Sequence, residues 1–173
     1  LALIVLCMGD LMIVLDTTIV NVALPSIQES LGFSEASLAW VVNAYLLTFG
    51  GFMLLGGRLG DLFGHRRLFV AGISLFTAAS LACGLAPMLT LMIVARAAQG
   101  LGAAVMLALS MALVGETVPK EKTGSAMGLL GTMSAVGTAL GPSLGGVLIA
   151  AFDWRAIFLI NVPLGLVALL LVG

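Results

Sequence analysis

The chain has 173 residues, 61% of them hydrophobic and only 9% charged, with a formal net charge of −1 and a mean hydropathy of +1.24. A water-facing domain carries about 25% charge, so a soluble globular fold is excluded and the lipid bilayer is the expected surrounding. No basic patch exists beyond short loops, so nucleic acid is not an expected partner.

In chain order, helix 1 is expected from about Leu3 to Pro25, with Asp10 and Asp16 inside it. A polar connection, Ser26 to Leu38, holds Gln28, Glu29 and Glu35 and no basic residue. Helix 2 is expected over residues 39–60, with Trp40 at a membrane interface. Then comes Gly56 to Arg67, a short basic hinge containing Arg58, Asp61, His65, Arg66 and Arg67. It stands between two uncharged stretches, Ala36 to Gly57 and Leu68 to Ala95. A polar turn between uncharged segments of spanning length reads as a loop joining two membrane helices. A nucleotide-binding glycine loop would need a strand before it inside a soluble βαβ unit, and the chain has no polar face for one.

Helix 3 is expected over 68–86, closed by a turn at Pro87, and helix 4 over 90–114, carrying Arg96. The loop Gly115 to Thr123 holds Glu116, Lys120 and Lys122. Helix 5 is expected over 124–150, a loop at Asp153-Trp154-Arg155 follows, and helix 6 covers 156–173. The fold class is thus an all-α membrane protein, a bundle of six transmembrane helices forming one domain, 1–173. Starting at Leu1 and stopping inside an apolar run, the chain reads as part of a longer protein. Cys7 and Cys83 lie far apart within apolar runs and read as small buried hydrophobes. Arg66, Arg67, Lys120 and Lys122 fall in loops 2–3 and 4–5, which places those loops and the N-terminus in the cytoplasm. Leu11-Met12-Ile13-Val14 before Asp16 echoes Leu91-Met92-Ile93-Val94 before Arg96, the trace of a three-plus-three repeat.

Asp16 is the sharpest clue. A carboxylate in mid-membrane costs roughly 2.5–3.5 kcal/mol on insertion scales and needs a partner or a water-filled cavity. Counting about 1.5 Å per residue from the outer helix ends puts Asp16 roughly 14 Å and Arg96 roughly 9 Å deep, so the two could meet. Such a pair is either a proton-coupling site or a structural salt bridge. Asp10, Thr17 and Asn21 fall within about 40° of one another around helix 1 and draw a polar stripe toward the bundle interior. Asp10 either lines an inner vestibule or sits near the interface. Asn43 and Tyr45 on helix 2 are pocket candidates that would equally suit helix–helix hydrogen bonds. On helix 5, Gly137, Gly141 and Gly145 repeat every four residues, a close-packing face, and Pro142 favours a kink.

Five stretches carry a resemblance. Gly57-x-Leu-x-Asp61-x-x-Gly64-x-Arg66-Arg67 resembles the signature loop of the major facilitator superfamily of transporters. Gly128-x8-Gly137-x3-Gly141-Pro142-x2-Gly145-Gly146 resembles the helix 5 motif of its proton-coupled exporters. Leu15-Asp16-Thr17-Thr18-Ile19-Val20-Asn21-Val22-Ala23-Leu24-Pro25 is similar to the helix 1 motif of the fourteen-helix drug:proton antiporter family. Arg96-x2-Gln99-Gly100 resembles that family's helix 4 motif, and Trp154-Arg155, Phe158 and Asn161-Val162-Pro163-Leu164-Gly165 the start of its helix 6. His65 departs from the usual loop, and the second bundle is absent.

The resemblance implies the N-terminal half of an exporter of small lipophilic or cationic compounds, working by alternating access in the plasma membrane. It implies no cofactor; the proton gradient drives it, each charge contributing about 2.3 kcal/mol per 100 mV. The implied partners are the bilayer, small-molecule substrate, protons and the C-terminal helix bundle. Asp16 would take the proton or cation, with Arg96 tuning it and Gln99 a further proton-coupling or substrate candidate. Asp61, with Arg58, Arg66 and Arg67, would latch the cytoplasmic side against Glu116 and the missing half. A proton-symporting importer is the alternative, and the helix 5 glycines argue against it. An intramembrane enzyme or a non-transporting assembly subunit is the other, and no metal, Ser/His or twin-aspartate pattern supports an enzyme.

Overall fold

The computed structural model describes residues 1–32 and 34–172. Phe33 in the expected first connection and Gly173 at the expected end of helix 6 lie outside them. Among the described residues seven α-helices follow one another: α1 (Ala2–Leu31), α2 (Glu35–Phe63), α3 (His65–Leu85), α4 (Leu89–Thr117), α5 (Thr123–Ala151), α6 (Arg155–Leu159) and α7 (Asn161–Val172). A 3₁₀ turn, Lys120–Lys122, precedes α5. With α6 and α7 taken as one span, six segments are long and apolar enough to cross a membrane. Helices suit that setting because each satisfies its own backbone polar groups, which hydrocarbon cannot do.

The helices are longer than their apolar cores, and four expectations need correction. Helix 1 does not stop at Pro25; it runs to Leu31 because buried Ile27 keeps its inner face apolar. It ends at Gly32, whose φ of 67° is left-handed and whose N–H bonds to the Gln28 carbonyl. The expected polar connection is therefore mostly helix, and Ser34 caps α2 by accepting from the Ser37 N–H at 3.3 Å. The basic hinge is tighter than a loop: α2 runs to Phe63, α3 begins at His65, and Gly64 alone joins them at φ 95°. That backbone angle favours glycine. Helix 4 continues to Thr117, so Glu116 is helical rather than in a loop. Helix 6 is broken after Leu159, because Pro163 has no N–H for the Leu159 carbonyl.

α1 and α4, the first helices of each half of the bundle, are the most enclosed spans, while α2 and α5 are largely exposed. α4 packs mainly on α2 and α3, and α5 on α1. The apolar interior falls into two clusters, one around Met12, Phe76 and Met106, the other around Ile19, Met92 and Ile157. Along α1, Asp16 lies between Met12 and Ile19. Along α4, Arg96 and Gln99 lie between Met92 and Ala103. The polar site thus occupies the seam where the two clusters meet.

Candidate functional site

At that seam Arg96 Nη1 donates to Asp16 Oδ2 at 2.7 Å and to Gln99 Oε1 at 2.8 Å. Gln99 Nε2 donates in turn to Asp16 Oδ1 at 2.9 Å and to Ser80 Oγ at 2.7 Å. Gln99 therefore cross-braces the pair, its carbonyl on the guanidinium and its amide nitrogen on the carboxylate. Arg96 Nε donates to the Val41 carbonyl of α2 at 2.9 Å, and its guanidinium lies 4.3 Å over the Tyr45 ring. Asp16 and Gln99 are 0% exposed, Arg96 1%. Four helices, α1 to α4, thus meet on one carboxylate–guanidinium–amide cluster, and Asn161 of α7 approaches Asp16 Oδ1 at 3.5 Å.

The local sequence makes this approach possible. A side chain at Gly100 would run into Thr48 Oγ1 and the Tyr45 carbonyl, and one at Gly102 would come within 2.9 Å of the Gly72 carbonyl and the Phe76 nitrogen. These two glycines let α2 and α3 come close to α4 just beyond Arg96 and Gln99. The periodicity i, i+3 puts Arg96 and Gln99 on one face.

The polar stripe divides. Asp10 is buried and accepts from Ser134 Oγ of α5 at 2.5 Å. Thr17 and Asn21 do not point into the bundle with it. They are exposed and bond back to their own helix, Thr17 Oγ1 to the Ile13 carbonyl at 2.8 Å and Asn21 Nδ2 to the Thr17 carbonyl at 3.1 Å. The reason is that α5 covers the neighbouring flank of α1 and leaves this edge open. Asn43 is exposed and away from the cluster, whereas Tyr45 belongs to it.

On α5 the glycines sort by face. Gly137, Gly141 and Gly145 are buried against α1: a side chain at Gly141 would collide with the Thr18 hydroxyl, and one at Gly145 would come within 2.8 Å of Ile19. Gly128 and Gly146 meet nothing within 4 Å, and Pro142 is exposed within one continuous helix. Only three of the five motif glycines form a packing face here.

The hinge is rearranged relative to expectation. Glu116 is reached by His65, not by Arg58, Arg66 or Arg67. His65 Nδ1 lies 2.5 Å from Glu116 Oε1 and Nε2 lies 3.1 Å from Asp61 Oδ1. Because α3 begins at position 65, that side chain projects between the ends of α2 and α4, while Arg66 turns to donate to the Val172 carbonyl at 2.6 Å. Gly64 and Arg67 adjoin this cluster, Gly57 and Arg58 lie a turn earlier on α2, and neither arginine has an ion pair among the described residues. A neutral imidazole has one N–H, so two carboxylate acceptors require the imidazolium. The cluster lies at the ends of the spanning helices, outside their uncharged stretches, and Glu116, then Asp61, hold the His65 pKa above its ordinary value.

Ser80, Ser134, Asn161 and the role of His65 were missed from the sequence. A lone serine in an apolar helix carries no signal of its own. Asn161 did carry one, since it opens Asn-Val-Pro at a helix break.

Comparison with known proteins places the chain. The family model described as Major Facilitator Superfamily matches residues 6–173. The multidrug resistance protein Stp of Mycobacterium tuberculosis is 45% identical over 99% of this chain and 32% of its own length. The cephamycin export protein CmcT of Amycolatopsis lactamdurans is 43% identical over 98% of this chain and 35% of its own. The chain thus spans about a third of the length of these relatives. Among solved structures, the proton:xylose symporter XylE from E. coli superposes with a TM-score of 0.85 at 18% identity, covering 99% of this chain and 43% of that one; at that identity the likeness concerns the fold. This chain belongs to the major facilitator superfamily, a family of membrane transporters and not of enzymes.

Proposed function

We propose that this chain is the N-terminal six-helix half of a plasma-membrane exporter that exchanges small compounds for protons by alternating access. The observation that carries the reading is the Asp16–Arg96–Gln99 cluster, an ionisable group sealed at the seam of an apolar bundle. Such groups are costly in a membrane and mark ion or proton pathways. Relatives named for multidrug resistance and cephamycin export support outward movement of small compounds, and lipophilic or cationic ones are the class proposed here. Asp16 takes the proton. Arg96 and Gln99 hold the charged form, and no cofactor takes part.

The exposed faces of α2 and α5 are where the C-terminal bundle would close the substrate path, and the glycine face of α5 lets it move against α1. Arg66, Arg67, Lys120 and Lys122 gather at the hinge end, so that end and the N-terminus face the cytoplasm. A cysteine at His65, in a background without Cys7 and Cys83, is then shielded from an impermeant thiol reagent outside intact cells, while one at Gln28 reacts. The reverse pattern would invert the topology.

The coupling test uses the full-length transporter in proteoliposomes with an imposed pH gradient. The single Asp16→Asn variant is expected to insert and fold but to lose uphill efflux. The double variant Asp16→Asn with Arg96→Gln leaves no buried charge unpaired and is expected to be stable yet equally unable to drive uphill efflux. Full uphill transport by the double variant would reduce the pair to a structural salt bridge.

A further inference from the structure

Around Asp16 nearly every neighbour offers a proton rather than accepting one. Arg96 is a donor only. Gln99 turns its Nε2 toward the carboxylate, and its Oε1 is taken by Arg96 at 2.8 Å and faced by the Cys83 thiol at 3.8 Å. Ser80 accepts from Gln99. This shell suits a carboxylate. It does not suit a carboxylic acid, whose new O–H needs an acceptor of its own.

Among the side chains hydrogen-bonded to Asp16 itself, one has an acceptor left over. Asn161 is 1% exposed, and its Oδ1 has no hydrogen-bond partner among the described residues. A buried amide oxygen without a partner calls for an explanation. The other end of the same amide, Nδ2, stands 3.5 Å from Asp16 Oδ1, far looser than the 2.7 and 2.9 Å contacts from Arg96 and Gln99. A half-turn of the amide would exchange Nδ2 for Oδ1 beside the carboxyl group without moving the backbone.

Its position adds to this. Asn161 is the first residue of α7, directly after the break that Pro163 imposes on α6. The backbone there has already lost a helical hydrogen bond, so a change of angle between α6 and α7 disrupts little. α7 then packs on α3, with Gly165 so close to Thr77 that no side chain would fit.

We infer that Asn161 is a positioning residue that senses whether Asp16 is protonated, donating loosely to the carboxylate and accepting from the acid, and passes that state to the α6–α7 joint. The inference rests on the reading of Asp16 as the proton site. No bond other than hydrogen bonds changes. The proton arrives on Asp16 from water, and the amide turns to meet it. The charged and titratable groups around Asp16 are Arg96 of α4, Tyr45 of α2 and Cys83 of α3, and the Tyr45 hydroxyl, which faces the Thr17 side chain without a well-formed hydrogen bond, is the other candidate acceptor near the cluster.

The test needs no transported compound. In the full-length protein in lipid, pH-difference infrared spectra report the C=O stretch of a protonated carboxyl group, assigned to Asp16 by its loss in Asp16→Asn. Asn161→Leu removes the acceptor. The band is then expected at higher frequency, as for an acid with a weaker hydrogen bond, and half-formed at a pH about one unit lower, a tenfold weaker hold on the proton. Asn161→Ala gives the same reading without added bulk if the leucine variant fails to insert. A wild-type frequency and midpoint in both variants, whatever their transport rate, would mean a structural role and overturn the inference. A shift in Tyr45→Phe with none at Asn161 would move the acceptor to the tyrosine and overturn it equally. Absence of any Asp16-dependent band is a different failure, one that removes Asp16 as the proton site and this inference with it.

Discussion

Among the described residues two carboxylate–cation clusters are built from similar groups in opposite surroundings. In one, Asp16 and Arg96 meet with side-chain exposures of 0% and 2%. In the other, His65 joins Asp61 and Glu116 with exposures of 20%, 58% and 54%. Ion pairs in water are worth little because solvent screens them and flexible side chains must be held still. A sealed pair has no water to fall back on, so losing one partner strands the other. The buried cluster accordingly spreads its hydrogen bonds over five helices, whereas the exposed one joins only the ends of α2, α3 and α4. Asp10 stands between the two cases: it is buried, but its partner is a serine hydroxyl on α5.

The largest effect expected from this contrast is at Arg96. Arg96→Gln leaves the Asp16 charge without its cation and should destabilise the full-length protein by about 3–5 kcal/mol, seen as a lowered melting temperature in detergent. Arg96→Lys keeps the charge but loses the fork that reaches Val41, Asp16 and Gln99 together, so an intermediate loss is expected. Adding Asp16→Asn to Arg96→Gln should restore most of the melting temperature. Unchanged melting in Arg96→Gln would show that the cluster is wetter than its geometry implies.

Next comes the α1–α5 face that flanks the cluster. Gly141→Leu drives a side chain into Thr18 and should cost about 1–3 kcal/mol of packing and, on the proposed function, abolish export by the full-length protein at equal membrane abundance. Leu144→Ile and Gly146→Ala should leave export near wild type, since Gly146 faces open space. Wild-type export by Gly141→Leu would show that α1 and α5 need not pack this closely.

The smallest effect is expected at the hinge. His65 has a pKa raised by Glu116 and Asp61. Its stabilisation is therefore complete below the ordinary histidine value of about 6.5 and fades as pH rises through the higher folded-state value. An exposed pair contributes about 0–1 kcal/mol, so the melting temperature should fall by a few degrees at most across that window. His65→Arg cannot titrate there and should flatten that part of the profile. An identical pH dependence in wild type and His65→Arg would show that the cluster's stability does not depend on His65 protonation.

Sequence alone determined a good deal about this protein. Charge is so scarce that its positions mark the spans, the loops and the one costly pair, and each of these is a local property of a single segment. Residence in a membrane, six spans, and Asp16 and Arg96 as the groups needing an explanation could all be read that way. Partner choice could not. Whether Glu116 meets His65 or an arginine depends on the residue at which α3 begins, a matter settled by one left-handed glycine at the end of α2. Gly137, Gly141 and Gly145 pack while Gly128 and Gly146 do not, because the rotation of α5 against α1 selects one face of the helix. Thr17 and Asn21 share a helical face with Asp10, yet they stay exposed because α5 covers the adjacent flank of α1. Gln99 and Asn161 reach Asp16, and Ser80 reaches Gln99, only because α3, α4 and α7 cross at one depth. Periodicity reports the face of a helix, while depth, rotation and crossing arise between helices, and only the tertiary structure decides those.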